Sequence, residues 1–329
     1  MTVLLATRLS RANAASVADA AGVLAGGGLV AFPTETVYGL GADATDGRAV
    51  ARLYEAKGRP AFNPLIAHVV DRQAAQALAR FDADAARLAV AFWPGPLTLV
   101  LPKSAGCPVA ELATAGLDTI AVRVPDHDVA RDILKAFGKP VVAPSANFSG
   151  HVSPTTAQHV RADLGGRIDL IVDGGATPVG VESTIIACLG DPVLLRPGGL
   201  PRAAIERALD RKLGDAATGM AGGEAAPLAP GMLASHYAPR TRLRLNVSGV
   251  EPDEALLAFG PVGTEAAQRA KKVLNLSTRG DLIEAAVNLF SHLRALDAAG
   301  ASAIAVMPIP GDGLGEAIND RLVRAAAER

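Results

Sequence analysis

Hydrophobic residues follow two patterns along the chain: short continuous runs, and residues spaced three or four apart. Segments of the two kinds alternate, which predicts a mixed α/β protein. Runs bounded by glycine, proline or polar residues are typical of buried strands, which we assign to 29–32, 65–70, 97–102, 119–125, 140–144, 169–173, 183–189 and 193–197. Apolar positions three and four apart predict helices at 14–25, 46–57, 72–92, 127–137 and 201–211. A further helix is expected to begin at Ser153 and Pro154, an N-cap hydroxyl followed by proline.

Residues 212–240 interrupt this pattern. Glycine, alanine and proline dominate there without apolar periodicity, which is typical of a linker. Beyond it, apolar runs and helical spacing resume, and they predict strands at 242–247, 255–260, 271–277 and 304–308 and helices at 281–298 and 315–328. We therefore expect a first α/β domain at 1–211, a linker or lid at 212–240, and a small second α/β domain at 241–329.

Composition and charge narrow the function classes. Half of the 329 residues are hydrophobic and the formal net charge is −1, so no bulk electrostatic attraction to nucleic acid or anionic membrane is expected. Cys107 and Cys188 lie far apart, which argues against a disulfide framework and favours a reducing compartment. The N-terminal apolar run is short for a signal peptide, and no apolar run reaches the roughly 18 residues of a membrane span. A cytoplasmic location is the expectation.

Polar side chains cluster where predicted strands end, although GxxxxGK[ST], HExxH and GxSxG fingerprints are missing. The first cluster is PTETVYGLG (33–41), at the carboxyl end of a strand, where α/β sheets usually bind ligands. Gly39 and Gly41 predict a tight backbone turn there.

The stretch KGRPAFNP (57–64) allows two interpretations. Lys57 and Arg59 could compensate the negative end of a helix dipole. Alternatively, two cations with no evident structural partner could hold a polyphosphate, with Asn63 nearby to contact a base or ribose.

Other polar residues at strand ends and in the linker also allow more than one interpretation. After the strand at 140–144, Ser145 and Asn147 could belong to a turn before a capped helix, or could converge on phosphate oxygens. Arg123 within its strand indicates either an exposed sheet face or a clamp for a carboxylate. His68 is most simply a satisfied core histidine, and His236–Tyr237 indicates that the linker docks onto the first domain.

Eight motifs, in order, resemble the Sua5/YrdC family: PTETVYGLG (33–41), KGRPAFNPL (57–65), FWPGPLTLVL (92–101), TIAVRVP (119–125), APSANFSG (143–150), GVESTI (180–185), LRPG (195–198) and SHYAP (235–239). SHYAP and the last segment match the two-domain Sua5 branch rather than the single-domain YrdC branch. The resemblance implies an N-terminal YrdC-like twisted α/β domain with a concave basic cavity, which is the catalytic domain, and a small C-terminal Rossmann-like Sua5 domain.

The resemblance also implies nucleotidyl transfer. L-Threonine, bicarbonate or CO2, and ATP would give L-threonylcarbamoyladenylate and pyrophosphate for the t6A37 modification of tRNA. Mg2+ would accompany ATP, a separate threonylcarbamoyl transferase would act downstream, and this step would need no tRNA. One rival function is an RNA-binding module acting on tRNA or ribosomal RNA, against which the near-neutral charge argues. Another is carbamoyl-adenylate formation, whose proteins carry zinc-finger and acylphosphatase-like segments that this chain lacks.

Motif by motif, the resemblance assigns two sets of contacts. ATP would be bound by Lys57, Arg59, Asn63, Thr119, Ser145, Asn147, Ser153, Arg196 and Tyr237, of which Lys57 and Arg59 are also the expected catalytic residues. Threonine would be bound by Thr36, His68, Arg123, Ala143 and Ser183. No general base is evident, so positioning and charge neutralisation are expected to supply catalysis.

Overall fold

Two β-sheets organise the chain in a computed structural model, which describes residues 5–215 and 237–327. An eleven-stranded sheet belongs to residues 5–215, here called the large-sheet unit, and a four-stranded sheet belongs to residues 241–327, the small-sheet unit. Residues 237–240 are the described end of the predicted linker.

The strands of the large sheet are β1 Arg8–Arg11, β2 Val30–Pro33, β3 Tyr38–Asp43, β4 Ile66–His68, β5 Leu97–Pro102, β6 Thr119–Arg123, β7 Val141–Val142, β8 Leu170–Asp173, β9 Thr184–Ala187, β10 Val193–Arg196 and β11 Gly214–Asp215. Its helices are α1 Ala14–Ala25, α2 Gly47–Lys57, α3 Arg72–Leu78, α4 Ala83–Phe92, α5 Asp128–Phe137, α6 Ala157–Leu164 and α7 Arg202–Leu209, with a 3-10 turn at Glu111–Thr114. The small-sheet unit contains β12 Leu243–Arg244, β13 Ala255–Ala258, β14 Lys272–Asn275, β15 Ile304–Val306, α8 Thr264–Arg269, α9 Leu282–Asp297 and α10 Gly315–Ala326.

The two sheets differ in strand direction. The large sheet has the order β1-β8-β2-β3-β7-β4-β6-β5-β9-β10-β11 and mixes parallel with antiparallel pairs. The small sheet has the order β12-β15-β13-β14 and all its pairs are parallel, with α8 connecting β13 to β14 and α9 connecting β14 to β15. This confirms the expected twisted α/β domain followed by a small Rossmann-like one.

Two helix predictions are wrong, one in the middle of the helix and one at its start. The expected helix 72–92 is two helices, because Ala79 pairs with Lys103 in an isolated β-bridge and Asp82 caps a new helix through Ala85 N. The helix expected to begin at Ser153 begins at α6, where the Thr156 hydroxyl supplies the N-cap. Ser153 is instead buried and donates its hydroxyl hydrogen to Glu182, so a tertiary contact displaces the local capping signal.

Gly39 and Gly41 form part of β3 rather than a tight turn, which corrects the prediction made from the glycine spacing. Neither has a positive φ. A Cβ on Gly41 would lie 2.7 Å from the Phe32 ring, and one on Gly39 would lie 3.1 Å from the Ala143 Cβ. These glycines therefore let β3 lie close to its neighbours rather than let it bend.

An apolar cluster joins the two units. Val37 and Val181 of the large-sheet unit pack with Leu289 and Phe290 of α9, and Tyr237 lies among them. Because one shared core holds both units, side chains of the small-sheet unit reach the strand ends of the large sheet. In the described ranges, no helix has the length and apolar character needed to cross a membrane.

Gly41→Ala should lower the free energy of unfolding by about 1–3 kcal/mol, because the added methyl group overpacks the Phe32 contact. Gly22→Ala on the exposed face of α1, where a Cβ meets nothing within 4 Å, should raise stability by about 1 kcal/mol through helix propensity. Urea unfolding of both variants measures the difference, and a neutral Gly41→Ala would contradict the close approach of β3.

Candidate functional site

A narrow cavity of about 40 Å3 lies where strand ends of the large-sheet unit meet the linker. Its lining consists of Thr36, Val37, Arg59, Ile66, Arg123, Ala143, Pro144, Ser145, Glu182, Ser183, Arg196 and Tyr237. The structure thus brings together predicted threonine contacts (Thr36, Arg123, Ala143, Ser183) and predicted ATP contacts (Arg59, Ser145, Arg196, Tyr237). The lining does not include the predicted residues Lys57, Asn63, His68, Thr119, Asn147 and Ser153.

Arg123 ends β6 as a buried, paired side chain, so the exposed-face interpretation is wrong. Its Nη2 donates to Glu35 Oε1 at 2.6 Å and to Thr36 Oγ1 at 2.9 Å. Removing one partner of a buried ion pair is strongly destabilising, so the Glu35–Arg123 pair holds the PTET segment against β6. Arg123 Nε is also buried and has no hydrogen-bond partner in the described part of the chain. Sequence reasoning missed Glu35, although its place in the PTET motif was the available signal.

His68 lies on β4 directly beside Arg123 in the parallel β4–β6 register. Its Nδ1 is 3.1 Å from the Ile66 carbonyl oxygen, so the proton lies on Nδ1 because a carbonyl can only accept. Burial and the Arg123 charge lower the pKa of His68 to about 3, and the ring is neutral at physiological pH. His68 is therefore a buried, neutral side chain whose unprotonated Nε2 can still accept a hydrogen bond.

Lys57 is the last residue of α2, whose C-cap is Gly58 in the left-handed conformation at φ 60°. Contrary to the expectation from sequence, it has structural partners, since its Nζ donates to the carbonyl oxygens of Ser145 (2.5 Å) and Asn147 (2.6 Å). Burial and neighbouring Arg59 lower the pKa of the Lys57 ammonium well below its usual value. Lys57 therefore ties the Ser-Ala-Asn segment to the end of α2.

Arg59 lies two residues further on and faces the cavity. Its Nη2 donates to the Pro64 carbonyl oxygen at 3.1 Å and, more distantly, to that of Asn63. Burial lowers the pKa of Arg59 to about 10, which leaves it charged at neutral pH. Carbonyl oxygens orient the guanidinium without cancelling its charge, so Arg59 rather than Lys57 presents positive charge to the cavity.

Two predicted asparagines are buried with incomplete hydrogen bonding. Oδ1 of Asn63 and Oδ1 of Asn147 have no partner in the described ranges. Asn147 Nδ2 is satisfied by the carbonyl oxygens of Phe148 and His151. Because unpaired buried acceptors are costly, these positions favour a binding role over a purely structural one.

The far wall of the cavity is built by β9 and β10. Arg196 Nη2 donates to the Ser183 carbonyl oxygen at 2.8 Å, and the Ser183 hydroxyl lies 2.8 Å from that of Thr98.

Thr119 begins β6, about 13 Å from Arg123 at a 3.3 Å rise per residue. Only an extended ligand could contact both ends of this strand.

Tyr237 closes the cavity from the linker side. Its ring is 1% exposed and stacks on Phe290 at 5.7 Å between centroids, and the Arg321 guanidinium lies 5.2 Å from it. The Ala238 amide donates to the Gly150 carbonyl oxygen at 2.8 Å. The predicted docking of the linker is therefore observed at its end, whereas Ser235 and His236 lie outside the described residues.

Size and charge define what this site can do. Pockets that hold drug-sized ligands have volumes of about 300–1,000 Å3, so a cavity of about 40 Å3 is much smaller than a nucleotide needs. Arg59 and Arg196 face it while donating to carbonyl oxygens, and Arg123 faces it with a carboxylate partner. The fold and the site define an α/β protein with an arginine-lined, anion-accepting cavity closed by a linker between two units.

Comparisons with known proteins agree with this class. A family model described as "Telomere recombination" matches residues 22–198, and one described as "Threonylcarbamoyl-AMP synthase, C-terminal domain" matches residues 200–327. The threonylcarbamoyl-AMP synthase of Pyrococcus abyssi is 43% identical, with 100% of this chain and 99% of that protein covered. The Bacillus subtilis enzyme of the same name is 41% identical, with 96% and 94% covered.

Solved structures give the same result. Crystalline P. abyssi Sua5 complexed with L-threonine superposes with a TM-score of 0.87 at 40% identity, covering 98% of this chain and 97% of that one. A variant of P. abyssi Sua5, in which a histidine and the tyrosine after it are replaced by alanine, also gives a TM-score of 0.87, at 38% identity. It covers 97% of this chain and 96% of that one. The chain belongs to the Sua5/YrdC family, in its two-domain branch of threonylcarbamoyl-AMP synthases, which are nucleotidyltransferase-type enzymes.

Lys57→Met should lower the free energy of unfolding by about 1–3 kcal/mol, because two buried carbonyl oxygens lose their donor. Arg59→Gln should change stability less but weaken the binding of pyrophosphate, since it removes charge that faces the cavity. Urea unfolding and calorimetry with pyrophosphate separate the two effects. Equal destabilisation by both variants, with unchanged pyrophosphate affinity, would contradict this division of roles.

Proposed function

We propose that this chain forms L-threonylcarbamoyladenylate and pyrophosphate from L-threonine, bicarbonate or CO2, and ATP, and so supplies t6A37 biosynthesis in tRNA. The observation that carries the proposal is the cavity itself, because four residues of each predicted set of contacts line one arginine-lined space. The P. abyssi structure with L-threonine supports the choice of amino acid. The RNA-binding alternative has no comparable support.

Threonine would bind through its carboxylate at Arg123. Nη2 of this guanidinium already donates to Glu35 and Thr36, which fixes its orientation. Its Nε has no hydrogen-bond partner in the described chain and could still donate one hydrogen bond. Thr36 and Ser183 would offer hydroxyls, with Ala143 and neutral His68 completing the pocket. A carboxylate held there leaves the amine free, once neutral, to attack CO2 and form the carbamate.

ATP would lie next to threonine in the same cavity. Arg59 suits the phosphates because its carbonyl partners leave its charge uncancelled, and Arg196 faces the same space while donating to the Ser183 carbonyl oxygen. A carbamate oxygen would then attack the α-phosphorus, forming the new P–O bond while the bond to the β-phosphate breaks and pyrophosphate leaves. Positioning and charge neutralisation dominate such a step. The proposed remaining ATP contacts are Lys57, Asn63, Thr119, Ser145, Asn147, Ser153 and Tyr237, with Lys57 acting through the segment it holds.

Mg2+ fits this chain as a companion of ATP rather than as a resident ion. In the described ranges, no three His, Cys, Asp or Glu side chains are grouped so that they could hold a metal. Glu35 and Glu182 are each paired with an arginine. We propose that Mg2+ enters on the phosphates and offsets their charge, in a cytoplasmic enzyme whose product passes to a separate threonylcarbamoyl transferase.

Mass spectrometry of the products from ATP, bicarbonate and an amino acid tests the function. Threonylcarbamoyladenylate should form, and valine, which lacks the hydroxyl, should react up to about 10⁴-fold less efficiently because buried pocket hydroxyls lose their partner. Serine, which lacks only the methyl group, should be the better competitor. Equal kcat/KM for valine and threonine would contradict the pocket assignment, and absence of any adenylate would contradict the function.

The linker is proposed to act as a lid, because Tyr237 lines a cavity that is too small for ATP. It must move to admit the nucleotide and can then exclude water from the easily hydrolysed carbamate and adenylate.

Tyr237→Ala should weaken ATP binding more than threonine binding, as measured by calorimetry. Protease cleavage within 213–231, most of which lies outside the described residues, should slow when ATP and threonine are both present. Cleavage at an unchanged rate, with normal ATP binding by Tyr237→Ala, would make the linker a passive tether.

A further inference from the structure

Arg321 of α10 is a fully buried arginine through which the small-sheet unit reaches the large-sheet unit. Its Nε donates to Glu182 Oε2 at 2.9 Å, and its Nη1 donates to the Pro197 carbonyl oxygen at 2.8 Å and to Asp320 Oδ2 at 2.7 Å. Its Nη2 is buried without a hydrogen-bond partner in the described part of the chain. A charged group is kept in such a place only where strong compensation holds it.

The partner carboxylate belongs to the cavity wall. Among the described lining residues, Glu182 alone carries a carboxyl group. Its Oε1 accepts a hydrogen bond from the Ser153 hydroxyl at 2.5 Å. Burial by itself would raise the pKa of Glu182, but Arg321 and Arg196 hold it below its usual value, so the group is ionised. An uncompensated carboxylate there would repel a polyphosphate across a low-dielectric space.

Arg321 also contacts the lid. Its guanidinium lies 5.2 Å from the centre of the Tyr237 ring, which also stacks on Phe290 of α9. A cation over an aromatic face is attracted to it. One side chain of the small-sheet unit thus contacts two cavity-lining residues, Glu182 and Tyr237, while lying outside the lining itself.

We propose that Arg321 is a positioning residue through which the small-sheet unit completes the nucleotide site. It neutralises the Glu182 carboxylate that faces the phosphates, and it holds the Tyr237 ring over the cavity. This inference rests on the proposed function, because it takes ATP to be the anion that enters. It gives the small-sheet unit a direct part in nucleotide binding rather than a role in stability alone.

The same helix supplies a matched control. Glu316 of α10 forms an ion pair of 2.7 Å with Arg202 of the large-sheet unit, so it also joins the two units. Neither Glu316 nor Arg202 lines the cavity. Glu316→Gln therefore removes a contact between units from α10 without changing the charge at the site.

The experiment compares the full-length wild type with Arg321→Gln and Glu316→Gln, measuring KM for ATP and threonine and, by calorimetry, the Kd of ATP. Arg321→Gln should raise the KM and Kd of ATP by about 10- to 100-fold, the size of one or two lost charge-assisted contacts. KM for threonine should change by less than about threefold, and Glu316→Gln should leave all three values near wild type. The double variant Glu182→Gln/Arg321→Gln should recover most of the ATP affinity, because the repelling carboxylate is gone. The loss that remains, about two- to fivefold, is the size of one cation–π contact and measures the missing contact of Arg321 with Tyr237.

Equal effects of Arg321→Gln and Glu316→Gln on ATP, or a double variant no better than Arg321→Gln, would overturn the inference in favour of a purely structural role. If Arg321→Gln does not fold, the ATP affinity of the double variant tests the inference instead, because that variant removes both charges of the buried pair. Its ATP affinity should then be near wild type, and a tenfold loss would overturn the inference. A wild type that binds ATP but forms no threonylcarbamoyladenylate would contradict the proposed function, while the ATP affinities would still decide the role of Arg321.

Discussion

The site depends on how buried arginines are compensated. Four arginines of the described chain are buried, and they are held in different ways. Carboxylates pair with Arg123 and Arg321, which removes most of their net charge. Carbonyl oxygens orient Arg59 and leave the charge of its guanidinium in place, whereas Arg196 donates to the Ser183 carbonyl oxygen and also lies near the Glu182 carboxylate. The cavity is therefore rigid where a carboxylate anchors an arginine and electropositive where backbone oxygens orient one.

This division explains why the cavity requires both units. The strand ends of the large sheet supply the arginines and hydroxyls that line the cavity. The charge of the Glu182 carboxylate, however, is compensated by Arg321 of α10, and the Tyr237 ring stacks on Phe290 of α9. The apolar cluster that joins the units fixes these side chains relative to the strands. Tyr237 lines the cavity and also contacts Phe290 of α9 and Arg321 of α10, so a displacement of its ring would change the cavity and the interface together.

Sequence patterns predicted the elements whose signals are local. Asp46 caps α2 and Gly58 ends it as expected, because both effects depend only on neighbouring backbone groups. The sequence does not predict β3, because its glycines are typical of a turn. The structure shows that glycine is needed there because Phe32 and Ala143 lie too close for a Cβ. The start of α6 was misplaced because Ser153 bonds Glu182 from a distant part of the chain rather than its own helix. The domain boundaries at 211 and 240 remain predictions.

The sequence by itself determined the α/β class, the family and eight predicted contacts that line one cavity, because periodicity and motif order need no knowledge of contacts. Only the tertiary structure decided which charges remain available. It showed that Lys57 is committed to carbonyl oxygens, that Glu35 pairs with Arg123, and that Arg321 reaches Glu182 from the other unit. The physical reason is that the free energy of a buried charge is set by its partners in space, and these partners lie tens to more than a hundred residues away along the chain.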